Sequence, residues 1–221
     1  MHAAGPRLED LPGCFPVFPL AGALLLPRGR LPLNIFEPRY LAMTEDALAA
    51  GRMLGMVQPD PCRAACRNGP GLYRVGCLGR ISAFSETDDG RYLITLTGVI
   101  RFAIAEETAM RRGYRRVRAA MADFAADLAG PPENAACDRA KLLGKLRAYF
   151  GRRRIEANWE AIEAMPDHVL VTTLCMVCPF DVPEKQALLE APGEAERAAA
   201  LCTLLAIETH CDDAARPGRV S

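Results

Sequence analysis

The run PLAGALLLPRGRLPLNIFEPRYLAM, Pro19 to Met43, places prolines among leucines at a spacing that excludes most regular structure. Proline has a fixed φ and no N–H, so it suits neither a helix interior nor a strand bonded on both sides. Pro19, Pro27 and Pro32 therefore imply extended segments and turns. The preceding run CFPVFPL reads as an edge strand or an irregular extended segment for the same reason. Pro38 differs, because the first turn of a helix has no use for its missing donor. Glu37 ahead of it complements the positive end of a helix, and Tyr40, Leu41, Met43, Thr44, Ala47 and Leu48 form one apolar face before Gly51. An extended segment feeding a short helix is the expectation.

Strand patterns surround that helix. RMLGMVQP, GLYRVGCLGRISAFSE, GRYLITLTGVIRFAIAEE and GYRRVRAAMADF are rich in β-branched and aromatic residues. The Asp-Gly pair in SETDDGRY has the chemistry of a hairpin turn. In RYLITLTGVIRFAI, Tyr92, Ile94 and Leu96 share one face and Leu93, Thr95 and Thr97 the other, until Gly98 interrupts the alternation and suggests a bulge or sharp bend. After Pro131-Pro132 the period becomes helical. One stripe is Leu142, Leu143, Leu146, Tyr149 and Phe150; a second is Ile155, Trp159, Ile162 and Met165; a third is Val169, Leu170, Thr173, Leu174 and Val177. Asp181, Pro183 and Glu184 resemble a capped helix start, and Leu201, Leu204 and Leu205 mark a last helix. The chain should thus be α+β, with a β unit over 14–125, helices over 133–210 and a disordered tail over 211–221.

Composition narrows function by exclusion. The 221 residues carry 27 basic and 27 acidic side chains, so no global field draws the chain to nucleic acid. No apolar run reaches membrane-helix length, and MHAAGPRLEDLPG has no signal pattern, so a cytoplasmic protein without a membrane partner is expected. Nine cysteines without a secretory signal read as reduced thiols. Cys62 with Cys66 and Cys175 with Cys178 lie too far apart in sequence to read as a paired zinc motif, so no metal is expected. Phosphate-binding glycine loops, G-x-S-x-G and H-E-x-x-H are all absent from the sequence. His168 beside Asp167 reads as a surface pair at a helix start. No catalytic residue and no cofactor follow from the sequence. Arg111 to Arg118, with Tyr114, could grip phosphates or could guard a solvated edge strand.

Several motifs in order, FPLAGALLLPRGRLPLNIFEPRYLAM, LYRVGCLGRISAFSETDDGRYLITLTGVIRF and GYRRVRA, together resemble the amino-terminal substrate-binding domain of ATP-dependent Lon proteases and stand-alone bacterial proteins of that domain. The resemblance, over about residues 14–210, implies a PUA-like, mostly antiparallel β pseudo-barrel around the Glu37–Ala50 helix, followed by a helical bundle. It implies capture of unfolded polypeptide or of a partner protein, a separate protease included, in protein quality control. ATP hydrolysis and proteolysis do not carry over, so the expected protein is not an enzyme. Phe36, Glu37, Arg39 and Tyr40 are the candidate binding residues; read from the residues alone, they serve equally as packing for the helix with a Glu-Arg pair. An RNA-binding module using Arg111 to Arg118 is the rival reading, and the oligomeric state is open.

Overall fold

The computed structural model describes residues 6–130 and 138–210, with the side chains of 208–210 left aside. The expected tail over 211–221 lies outside them. The fold is α+β. Six strands, β1 Cys14–Pro19, β2 Arg30–Ile35, β3 Met53–Val57, β4 Val75–Glu86, β5 Tyr92–Arg111 and β6 Tyr114–Ala120, form one sheet in the order β2-β5-β4-β3-β1-β6. Because β5 also pairs with β6, strands β5, β4, β3, β1 and β6 close into a ring, with β2 added to the first half of β5. All pairings are antiparallel except β1 with β3.

Closure depends on bending the 20-residue β5. The β4–β5 register slips where Leu78 faces Ile100 but Gly79 faces Gly98, leaving Val99 as the extra residue. Gly98 is required there by crowding. A Cβ on it would lie 2.0 Å from the Leu26 carbonyl oxygen, which belongs to backbone and cannot give way. Gly98 N–H donates to Gly29 O at 2.8 Å, and Arg28 N–H donates to Gly98 O at 2.8 Å. The Asp-Gly hairpin is also present, with Gly90 at φ 78° and Thr87 N–H donating to Arg91 O.

β1 corrects one expectation. It is no edge strand, since it lies between β3 and β6. Its prolines survive because the two ladders use different stretches: Cys14–Val17 faces β6, while β3 is met only over Val17–Pro19. The barrel interior is filled by Phe15, Val17, Leu78, Ile100, Phe102 and Val117, with Phe15 edge-on to Phe102 at 5.0 Å between centroids.

The helix α1, Pro38–Ala49, buries Tyr40, Ala42, Met43, Thr44 and Ala47, and its Thr44 hydroxyl donates to Tyr40 O. Its far side is clamped to the turn where β5 passes into β6. Tyr114 Oη donates to Asp46 Oδ2 at 2.6 Å, Arg112 bonds Asp46 and Glu45, and Arg111 pairs with Asp46. These donors hold the Asp46 carboxyl below its ordinary range, the Tyr114 hydrogen bond most of all. Burial, and then the bond to Asp46, push the Tyr114 phenol up from 10.0 to about 12.

The remaining helices are α2 Arg139–Arg153, α3 Trp159–Ala164, α4 Asp167–Val177, α5 Val182–Glu190 and α6 Glu194–His210. They do not form one group. The compact unit holding the sheet includes Cys175–Glu190, whereas 132–174 and 191–221 form the other. Thus α5, expected with the helical part, belongs with the sheet. Lys185 Nζ donates to Gly22 O at 2.6 Å, and Gln186 Nε2 donates to Val75 O at 3.0 Å. Glu184 reaches back to the Asp181 N–H at 2.7 Å, the cap anticipated from the sequence.

A buried ion pair completes this unit. Arg101 on β5 is 5% exposed and Asp127 is 10% exposed; two N–H···O bonds of 2.9 Å join the side chains, and the Arg101 backbone N–H adds a third at 3.0 Å. Arg101 Nη1 also donates to Leu189 O at 3.1 Å.

In the other unit, α2 packs against α6 through Leu142, Leu146 and Tyr149 facing a helix that buries Leu201 and Leu205. Trp159 lies against Phe150, with Arg147 over its ring. The third expected stripe is shifted. Leu170, Val171, Leu174, Cys175 and Cys178 are buried, while Val169 and Val177 are exposed.

Two outcomes follow from these pairings. Asp127→Ala leaves the Arg101 guanidinium buried without its carboxylate, and should cost about 3–5 kcal/mol in urea denaturation at neutral pH. A loss below 1 kcal/mol would mean that water answers the charge. Stability tied to the Tyr114 phenol is present below pH 10 and is lost as pH rises through about 12, because ionisation is easier in the unfolded chain. Wild type should therefore weaken more than Tyr114→Phe between pH 9 and pH 12 in paired denaturation curves; equal losses would refute the assignment.

Candidate functional site

The segment between β2 and α1 sends neighbouring side chains in opposite directions. Ile35 points into the core, and Phe36, the next residue, is 62% exposed. Glu37 then takes an extended conformation, φ −70° and ψ 133°, as a residue before proline must, and serves as the cap position with Pro38 as the first helical residue. About half a turn is enough to bring Arg39 back over this corner. Its guanidinium pairs with Glu37 at 2.8 Å and lies 4.5 Å above the Tyr40 ring. Tyr40 points inward against Phe18 at 4.2 Å, and burial pushes its phenol up from the usual value.

The four candidate residues therefore split. Tyr40 packs the helix onto the barrel, Glu37 and Arg39 satisfy each other at the surface, and Phe36 projects outward. The Glu37–Arg39 pair is about half exposed.

By strand alternation, Phe36 continues the line of Pro32 and Asn34. That line shares the sheet's outer face with Leu93 and Thr95 on β5, opposite Asn34 and Pro32, and with Ser85 and Ala83 on β4. These three strands line a groove of about 480 Å³. On this face Pro32, Ala83 and Leu93 are the apolar side chains and Asn34, Ser85 and Thr95 the polar ones. Leu33, Phe84 and Ile94 also border the groove although alternation turns their side chains to the other face, and no charged residue among those described lines it. Phe84 is 41% and Leu93 45% exposed. Sequence reasoning placed Leu93 and Thr95 on one face but did not identify this face as open; the alternation gives two faces and leaves their roles unassigned. Phe84 carried no signal of its own.

The basic strand is a different kind of surface. Arg111 and Arg112 are taken up by Asp46 and Glu45, and Arg118 pairs with Glu106 at 2.9 Å. Arg115 is buried against Glu107, at 2.5 Å, and also donates to Pro70 O. Arg116 reaches the Cys14 sulfur at 3.5 Å. Carboxylates thus answer most of the guanidinium charge along this strand.

None of the cysteines singled out in the sequence lines the groove, nor does His168. Cys175 and Cys178 are buried, and burial pushes the Cys178 thiol up to about 12, away from the thiolate. Cys62 and Cys66 are exposed and unbridged. Asp167, beside His168, pairs with Arg139. Among the described residues no three His, Cys, Asp or Glu side chains are gathered where they could hold a metal ion.

The fold has solved counterparts. A Lon N-terminal domain protein from Xanthomonas campestris superposes with a TM-score of 0.54 at 21% identity, covering 87% of this chain and 97% of that one. The N-terminal domain of the Mycobacterium avium complex Lon protease gives a TM-score of 0.59 at 19% identity, covering 87% and 98%. In sequence, Lon protease of Anaeromyxobacter dehalogenans is 30% identical over 111 residues, and Lon protease 2 of Myxococcus xanthus 30% over 101 residues. These alignments take in 47% and 44% of this chain but only 13% and 12% of those proteins. Residues 15–206 match the family model described as the ATP-dependent protease La (LON) substrate-binding domain, and the chain belongs to that family.

Proposed function

We propose that this chain is a non-enzymatic, cytoplasmic binding protein that captures exposed apolar polypeptide on the outer face of strands β2, β5 and β4. The observation that carries the reading is the uncharged groove of about 480 Å³ beside the exposed Phe36, in a chain of which 24% of residues are charged. Such a surface gives a folded, charged protein little to hold, while an unfolded segment can bury its leucines and aromatics there. Phe36 and Leu93 are the anchors. Glu37 and Arg39 border the site as a pair of near-zero net charge, and Tyr40 holds the helix that presents it. A separate protease is a fitting recipient of the captured chain, given the substrate-binding family. No helix among the described residues is long and apolar enough to cross a membrane.

The RNA reading has less behind it. Guanidinium groups already paired with carboxylates must lose those partners before they can hold phosphates.

A permanently unfolded probe, a reduced and alkylated protein carrying a fluorophore, tests the proposal by anisotropy. Wild type should bind it, and Phe36→Ser with Leu93→Ser should weaken binding about tenfold or more, while circular dichroism and melting temperature stay near those of wild type. Both side chains are substantially exposed, so folding should survive. Unchanged binding by the folded double variant would remove the groove from consideration.

A further inference from the structure

The same groove ends at a strand with an unused side. β2 closes the sheet order at one end and, among the described residues, pairs with β5 alone. Which of its backbone groups are free follows from the ladder phase. Gly98 N–H donates to Gly29 O, and the register runs antiparallel from Arg30 opposite Thr97 to Ile35 opposite Tyr92. In such a ladder, hydrogen-bonded and non-bonded pairs alternate. Leu31, Leu33 and Ile35 therefore point their N–H and C=O groups at β5, and Arg30, Pro32 and Asn34 point theirs away. The hairpin gives the same phase from the other side, since Thr87 N–H donates to Arg91 O and so turns Arg91, Leu93 and Thr95 toward β4. Arg30, Pro32 and Asn34 are all exposed.

Resting on the capture reading above, we propose that the occupant of the groove is an extended polypeptide segment added as a further strand to the free edge of β2. Arg30 and Asn34 each offer one N–H and one C=O at the spacing of two bonded pairs, and Pro32 between them offers a carbonyl alone. Main-chain bonds of this kind do not depend on the sequence captured, and the uncharged groove alongside selects apolar side chains. A second copy of this chain suits the edge less well. Antiparallel self-pairing centred on Pro32 would set proline against proline and lose both central bonds, a device that discourages edge-to-edge association.

Asn34→Pro removes an outward N–H without touching the bonds to β5, and Asn34→Ala alters the side chain while keeping that N–H. A labelled peptide of alternating Leu and Thr serves as the probe. Strand addition requires Asn34→Pro to weaken binding about tenfold while Asn34→Ala stays near wild type. It also requires that, in wild type, the peptide slow amide hydrogen exchange at Arg30 and Asn34, a readout that needs no variant. If wild type binds the peptide but these two amides exchange at their free rate, strand addition is wrong and side-chain capture stands. If wild type binds neither the peptide nor an unfolded protein, the capture reading fails and takes this one with it. A wild-type dimer that Asn34→Pro splits into monomers would assign the edge to self-association and overturn the proposal.

Discussion

A guanidinium that leaves water must have its N–H groups answered, and in this protein one such group gathers three elements. Arg101 lies in the long strand that closes the barrel, takes its carboxylate from Asp127 beyond the last strand, and donates to the carbonyl of Leu189 at the end of α5. It also lies over the ring of Phe124. Each partner comes from a segment without a sheet ladder of its own, so the ion pair fixes where those segments sit. Its net stabilisation is small compared with the cost of leaving it half made. The pair ties β5, the segment after β6 and the end of α5 to one another.

The same principle shapes the surface around α1. Asp46 and Glu45 on the helix meet Arg111, Arg112 and Tyr114 from the end of the barrel, and Glu37 meets Arg39 within its own turn. Charges are paired near where they arise, in keeping with a chain of zero formal net charge. The groove on β2, β5 and β4 is conspicuous against this background because nothing charged lines it.

Much of this was legible in the sequence, and the failures have identifiable causes. Proline at the start of α1, the Asp-Gly hairpin and the break at Gly98 each depend on local backbone chemistry, and each stands where the residues put it. Pro16 misled because a proline rules out a second ladder only at its own position, and the two partners of β1 use different positions. α5 was assigned to the helical part because contiguity in sequence was its only visible affiliation; the bonds from Lys185 and Gln186 join it to residues more than a hundred positions away. On α4 the apolar residues outnumber what one face needs, so periodicity alone could not choose between Val169 and Val171. Phe36 and Tyr40 look alike as aromatics flanking a helix start, and only the turn at Glu37 separates the one that faces water from the one that packs.

An open edge beside an apolar groove invites association, and the way this one is bounded bears on what it can hold. β2 is six residues long, which gives an edge of about 20 Å. Arg30 stands at one end, and Glu86 and Arg91 flank the hairpin at the other, all exposed. Charge at both limits and proline in the middle leave room for one short, extended, apolar stretch. Native folds rarely present such a stretch with its backbone unpaired, whereas unfolded chains do so throughout. Under the proposed capture role, the geometry that protects the edge from association is also the geometry that would select an unfolded chain, because each asks that the incoming strand bring its own hydrogen bonds and few charges.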